Sequence, residues 1–240
     1  MEPVTRYGQF CPVAKAAEVL AERWTPLVIR ELMCGSSAFN DLKRGVPLMS
    51  RTLLATRLRE LERAGVIERR PAQGRSAHTY HLTPAGEELR PIVLSLGEWG
   101  QRWARSHVTK EDLDPTLLMW DMRRSLDLDR VPDARTVVHF VFTDAPKTVP
   151  PRTWLVIDPP DVEVCYKDPG YEIDLVVTTP LRNLIEVWMG DASFGAYLRD
   201  GIIKIEGDRG LASRFPGWLR LSTFASVERP RAIRAAQFAD

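Results

Sequence analysis

Cysteine is scarce in this chain of 240 residues. The three present, Cys11, Cys34 and Cys165, are odd in number and far apart. That pattern excludes a disulfide framework and any zinc-ligand spacing. The four histidines, His78, His81, His107 and His139, stand in no metal-binding motif. No apolar run approaches the ~20 residues that span a bilayer. Met1–Phe10 lacks a basic stretch followed by an apolar core, so no secretory signal is expected and the cytoplasm is the expected compartment. A nucleophile elbow, a phosphate-binding glycine loop and a metalloprotease motif are all missing. The expectation is therefore no enzyme, no cofactor, no bound metal and no membrane partner. Hydrophobic content of 44% and charged content of 27% are ordinary for a soluble globular protein. The length allows one large domain or two small ones.

Charge is unevenly spread. Residues 1–107 hold 16 Lys+Arg against 11 Asp+Glu, and the remainder holds 17 against 21. The excess concentrates in residues 43–75, with nine positive and three negative side chains. Such a stretch is either a solvated face or an electrostatic footprint for phosphate, and the helical pattern must decide between them.

Pro12 suits the first position of a helix, which makes Cys11 its N-cap, with Val13, Ala16, Ala17 and Leu20 as the apolar stripe. Thr25-Pro26 repeats the signal, with Thr25 expected as the cap. Phe39 and Leu42 anchor a short helix ended by Gly45 and Pro47. A longer helix follows, from the cap Ser50 to the stop Gly65. Leu54, Leu58 and Leu61 share its apolar face, and Thr52, Ala55, Thr56, Arg59 and Arg63 lie opposite. Small residues allow close approach to base edges, and guanidinium groups reach guanine or phosphate. Val66–Arg70 and Ala77–Leu82 read as a hairpin around Pro71–Ser76, with Arg75 near the tip, placed to enter a minor groove. Thr83-Pro84 starts another helix, kinked at Pro91. Its Ile92, Leu96, Trp99 and Trp103 are either core or a dimer seam.

Eight blocks in order resemble the HxlR-type regulators: Cys11-Pro12-Val13, Arg23-Trp24-Thr25, Ile29–Leu32, Phe39–Leu42, Ser50–Leu53, Leu58–Glu62, Ala64–Ile67 and Tyr80–Gly86. The resemblance covers about residues 6–105. It implies a homodimer of winged helix-turn-helix domains that binds a pseudo-palindromic operator in double-stranded DNA and represses. It also implies Ser50–Ala64 as the recognition helix. The DNA-contact candidates are Ser50, Arg51, Thr52, Ala55, Thr56, Arg59, Arg63 and Arg75. Some regulators of this type use an N-terminal cysteine as a redox or electrophile sensor. Cys11 is the candidate for that role, since a helix N-terminus favours a thiolate; the bland reading is a small, partly buried residue before Pro12. Cys34 and Cys165 read as core fillers.

Ser106–Pro115 is polar and reads as a linker. A helix over Thr116–Ser125 is followed by short runs expected to be antiparallel strands at Thr136–Thr143, Thr153–Ile157, Val162–Tyr166 and Ile173–Thr178. Helices are expected over Leu181–Met189, Phe194–Leu198 and Arg209–Phe215, with a strand at Gly201–Gly207. Asp174–Thr179, Leu181–Gly190, Ala196-Tyr197-Leu198 and Gly201–Asp208 together resemble the sterol-carrier-protein-like fold, over about residues 113–222. That resemblance implies an antiparallel sheet with helices over a hydrophobic tunnel. Trp154, Trp188, Phe194, Tyr197 and Trp218 are the candidate lining, and a filled aromatic core is the alternative.

The fold class is thus α+β, with a winged helix-turn-helix domain at 1–107 and a sterol-carrier-like domain at 113–228. The expected function is a dimeric DNA-binding repressor whose second domain senses a hydrophobic small molecule. The alternative is a hydrophobic-ligand carrier that uses the helix-turn-helix only to dimerise.

Overall fold

The computed structural model describes residues 7–72, 78–104 and 112–230. It combines helix and sheet, and its contacts divide the chain into two compact units, Met1–Gly97 and Glu98–Asp240. Arg75, His107 and most of the expected linker lie outside the described residues.

The first unit orders α1 (Pro12–Leu20), α2 (Thr25–Met33), α3 (Phe39–Gly45), α4 (Arg51–Arg63), β1 (Ile67–Pro71), β2 (His78–Leu82) and α5 (Pro84–Glu87), and α6 (Arg90–Trp99) begins in it. Pro12 and Pro84 sit in first turns, where a missing N–H costs nothing. Thr25 does not cap α2. Trp24 takes that position in a left-handed conformation, φ 77°, with the Arg23 guanidinium over its ring, and Thr25 is buried inside the first turn. α5 and α6 are separate helices, broken just before the expected kink at Pro91. Strands β1 and β2 form the antiparallel hairpin, with Ile67 opposite Leu82. Val28, Ile29, Leu42, Met49, Leu54, Leu58, Leu61 and Ile67 fill one core.

Glu31 is buried in this core with 0% exposure. Arg30 Nη2 donates to its Oε1 at 2.6 Å, and Ser36 Oγ donates to its Oε2 at 3.3 Å. The same guanidinium donates to the Gly45 carbonyl at 3.1 Å, joining α2 to the end of α3. A Cβ at position 45 would fall on the Glu31 carboxylate, so any larger residue there must displace it.

The second unit holds α7 (Pro115–Arg124), β3 (Thr136–Phe142), β4 (Arg152–Asp158), β5 (Asp161–Cys165), β6 (Leu175–Thr179), α8 (Leu181–Trp188), α9 (Phe194–Arg199), β7 (Lys204–Gly207) and α10 (Arg209–Arg214). A π-helical turn, Gly100–Ala104, follows α6, and a 3₁₀ turn, Phe215–Trp218, follows α10. The sheet order is β5-β4-β3-β6-β7. The expectation of an antiparallel sheet needs correction, because β3 and β6 pair in parallel. Strand β5 lies on the far side of β4, so the chain must cross over the β4–β3 pair to reach β6, and a crossover returns the strand in the same direction.

One face of the sheet carries Val138, Phe140, Phe142, Leu155, Ile157, Leu175 and Val177 into a core closed by α7 and α8. Phe215 anchors that core, with ring contacts to Phe140, Phe194 and Trp218 at 5.5–6.1 Å. The other face carries Val137, Trp154 and Val156 in a separate small cluster. Trp154 stacks on His139 at 4.5 Å and 6°.

Two outcomes are expected from these contacts. Gly45→Ala forces a methyl group into the space of the Glu31 carboxylate and should destabilise the first unit by about 1–3 kcal/mol. Urea unfolding measures this, and an unchanged midpoint would contradict the packing. In the second unit, burial pushes the His139 imidazole below its ordinary value of 6.5, Arg152 acts in the same direction, and Asp168 opposes. The unfolded chain then binds the proton more readily. The stability tied to neutral His139 is full above about pH 6.5 and declines as the pH falls toward the lower folded value. His139→Phe keeps a ring against Trp154 and should flatten that decline; identical pH profiles for the two proteins would refute it.

Candidate nucleic-acid interface

The turn from α3 to α4 is built by local chemistry. Val46 accepts from the Met49 N–H at 3.0 Å, and Lys43 Nζ donates to the Pro47 carbonyl at 2.8 Å. Ser50 caps α4 by accepting from the Leu53 N–H at 3.2 Å, which commits one lone pair of its hydroxyl to the helix. Met49 and Leu54, immediately before the cap and at the fourth helical position, are both buried and form a hydrophobic staple. Gly65, at φ 72°, ends the helix in the left-handed conformation that favours glycine.

Helix α4 buries Leu54, Leu58 and Leu61. Its opposite side presents Thr52, Arg59 and Arg63 to solvent, with Ala55 and Thr56 half-buried between them. Two of the cations are held in place. Arg51 Nη2 donates to Asn40 Oδ1 at 2.7 Å, with its guanidinium 5.4 Å from the Phe39 ring centre. Arg59 Nη2 donates to Thr56 Oγ1 at 3.1 Å. Among the described residues the partners of Arg51 and Arg59 are neutral, and no carboxylate pairs with either. Arg57, in contrast, pairs with Glu22 at 3.2 Å and Glu60 at 2.7 Å, fastening α4 to the α1–α2 corner. On the hairpin, Arg70 pairs with Glu68 and Arg69 with Glu62. His78 is exposed, and His81 lies 2.9 Å from Thr79 Oγ1.

The structure therefore brings Arg51, Thr52, Ala55, Thr56, Arg59 and Arg63 onto one surface, and gives Ser50 a capping role. Sequence reasoning missed Asn40 and Phe39 as the residues that fix Arg51. Their partner stands across a turn, and spacing alone carries no signal of that contact.

Cys11 is half-buried and takes the N-cap position of α1, with its sulfur in no capping bond. Cys34 is exposed, which corrects the core-filler reading: it sits past the last turn of α2, where the chain leaves the core. Cys165 is half-buried against the Val137–Trp154–Val156 cluster.

The five candidate ligand residues do not share one environment. Trp188 and Trp218 belong to the main core of the second unit, and Phe194 and Tyr197 pack against it. Trp154 faces the other side of the sheet, because side chains alternate along β4 and Leu155 takes the inward position. Trp154 is thus removed from the group. Tyr197 donates to Glu186 Oε2 at 2.6 Å, and Asn183 Nδ2 donates to the same oxygen at 3.1 Å. Burial, with that hydrogen bond, pushes the Tyr197 phenol above its ordinary value.

Among the described residues no group of His, Cys, Asp and Glu is arranged to hold a metal, and no helix is long and apolar enough to cross a membrane.

The family model for the HxlR-like helix-turn-helix matches residues 19–108. YvaP of Bacillus subtilis, named an uncharacterized HTH-type transcriptional regulator, is 33% identical over 98 residues, 40% of this chain and 91% of that protein. Mb3122 of Mycobacterium bovis, named in the same way, is 34% identical over 119 residues, 44% of this chain and 73% of that protein. The solved structure of reduced YodB from B. subtilis, a transcriptional regulator, is 28% identical, covers 42% of this chain and all of that one, and has a TM-score of 0.36. Relatives so named support a DNA-binding regulator and are consistent with a protein that is not an enzyme. With a winged hairpin after α4 and relatives matched over most of their own length, the chain belongs to the HxlR-like helix-turn-helix family.

Proposed function

We propose that this protein is a dimeric transcription repressor that docks α4 in the major groove of an operator, with residues 1–107 as the DNA-binding half. The observation that carries the reading is the surface of α4. Thr52, Arg59 and Arg63 are exposed on a helix fixed by a cap, a staple and the Arg57 pairs. Arg51 and Arg59 are preset by neutral partners, so little side-chain freedom is lost on binding. Repression is the mode that the family resemblance implies. Cys11 is the candidate thiol for redox control.

Dimerisation is supported by the apolar stripe. Ile92, Leu96 and Trp99 recur at helical spacing along α6, Trp103 follows, and each is about half exposed. A contiguous apolar stripe left in water marks an interaction site. We propose that it is the seam of a dimer.

The C-terminal half, 113–228, is proposed as a sterol-carrier-like unit that responds to an apolar small molecule. All six residues of α9 are at least partly exposed, so α9 is a thin cover over the core. A hydrophobic effector would enter beneath it by displacing Phe194 and Tyr197, next to Trp188 and Trp218. A ligand that favours one arrangement of the dimer shifts DNA affinity by its own difference in affinity for the two arrangements.

Three measurements test these readings. Arg59→Ala should weaken operator binding by about 1–3 kcal/mol, and Arg75→Ala should weaken binding to every sequence and lower the salt slope by about one. Unchanged affinity in both variants would contradict the docking. The protein should scatter light as a dimer at micromolar concentration, with recognition helices about 34–36 Å apart or a multiple of that; a monomer with and without DNA would refute the seam. An environment-sensitive hydrophobic dye should bind the full chain saturably, and Trp188→Ala should alter that binding more than Lys147→Ala. Absence of saturable binding would remove the sensor role.

A further inference from the structure

Two large apolar side chains stand in water at the start of α4. Leu48 is 78% exposed and Leu53 37%. Leu48 occupies the turn closed by the Met49 N–H to the Val46 carbonyl, and Lys43 holds the adjoining Pro47 carbonyl, so its backbone is fixed from two sides. The neighbours Met49 and Leu54 both turn into the core. Apolar burial was therefore available within one residue of each leucine, yet Leu48 takes almost none of it and Leu53 only part. Between the two in sequence stand Met49, Ser50, Arg51 and Thr52, with Arg51 held by Asn40.

Resting on the reading of α4 as the helix that enters the major groove, we infer that Leu48 and Leu53 read thymine through its C5-methyl group. The thymine methyl is the apolar feature of the major-groove edge, and an apolar side chain recognises it by contact. The charge of Arg51, which stands between the two leucines in sequence and is held by a neutral amide oxygen, favours one partner: duplex DNA offers phosphate to that cation and methyl groups to the leucines. Both leucines flank the N-terminal end of α4, the end that contacts base edges when a recognition helix docks.

The test starts from operators that the full-length protein selects out of a random duplex pool. Each thymine is then replaced in turn by uracil, which removes the methyl group and keeps the hydrogen-bonding pattern. Fluorescence anisotropy should show a loss of about fourfold, the worth of one buried methyl group, at one or two positions in each half-site. In the double variant Leu48→Ala, Leu53→Ala, the uracil and thymine duplexes should bind alike, while circular dichroism and binding to random-sequence DNA stay at wild-type levels. A wild type that binds its operator sequence-specifically yet tolerates uracil everywhere overturns the inference and leaves the DNA-binding reading standing. The same uracil loss in the double variant overturns it too. A changed oligomeric state with thymine discrimination intact would assign the leucines to a contact between copies of the chain, and overturn it. A wild type that selects no sequence at all overturns both readings together.

Discussion

The carboxylate of Glu31 is fully buried in the first unit, against Arg30, Ser36 and Gly45. A carboxylate so placed costs several kcal/mol unless charge and hydrogen bonds compensate it. Arg30 and Ser36 do so, and the Arg30 guanidinium also reaches the Gly45 carbonyl. As it stands the arrangement leaves no room for a Cβ at position 45. Through the Arg30 guanidinium these contacts tie α2 to the end of α3, five residues before the Ser50 cap of α4. A pair of this kind adds little net stability against a well-packed apolar alternative, but removing one partner is strongly destabilising. Here the same guanidinium also ties α2 to the end of α3.

From that anchor the exposed side of α4 is built by small, local contributions. The Ser50 cap, the Met49–Leu54 staple and the left-handed Gly65 fix the two ends. Arg57 fastens the middle to Glu22. Side chains on a helix held at three points are positioned to recognise a partner without large ordering costs. The division among the arginines matters. Arg57 is spent on acidic partners, whereas Arg51 and Arg59 rest on an amide oxygen and a hydroxyl, which orient a guanidinium and leave its charge for phosphate or guanine.

The local elements were legible because each rests on chemistry within a few residues. Pro12, Ser50, Gly65 and Thr83-Pro84 mark helix ends that the structure repeats. Thr25 misled because the left-handed Trp24, stacked under Arg23, moves the start of α2 by one residue. The parallel pairing of β3 with β6 was not legible, since Phe140 and Val177 become neighbours only through a crossover that leaves no periodic trace. Residue type alone groups Trp154 with Trp188 and Trp218. Its place was decided by parity along β4, where both faces are buried and alternation of apolar with polar residues therefore disappears. Likewise Asn40 and Arg51 meet across a turn, and the exposure of Leu48 depends on which of two adjacent apolar residues the staple takes.

The central claim is that α4 reads the major groove. Methylation protection of guanine N7 tests it most directly, because N7 lies in the major groove and hydrogen-bonds to arginine. Bound to an operator selected by the full-length protein, wild type should protect guanines in two patches whose centres are about one helical turn, or a multiple of it, apart, and Arg59→Ala should lose protection at one guanine in each patch. Protection that is absent, or that survives unchanged in Arg59→Ala, would contradict the account.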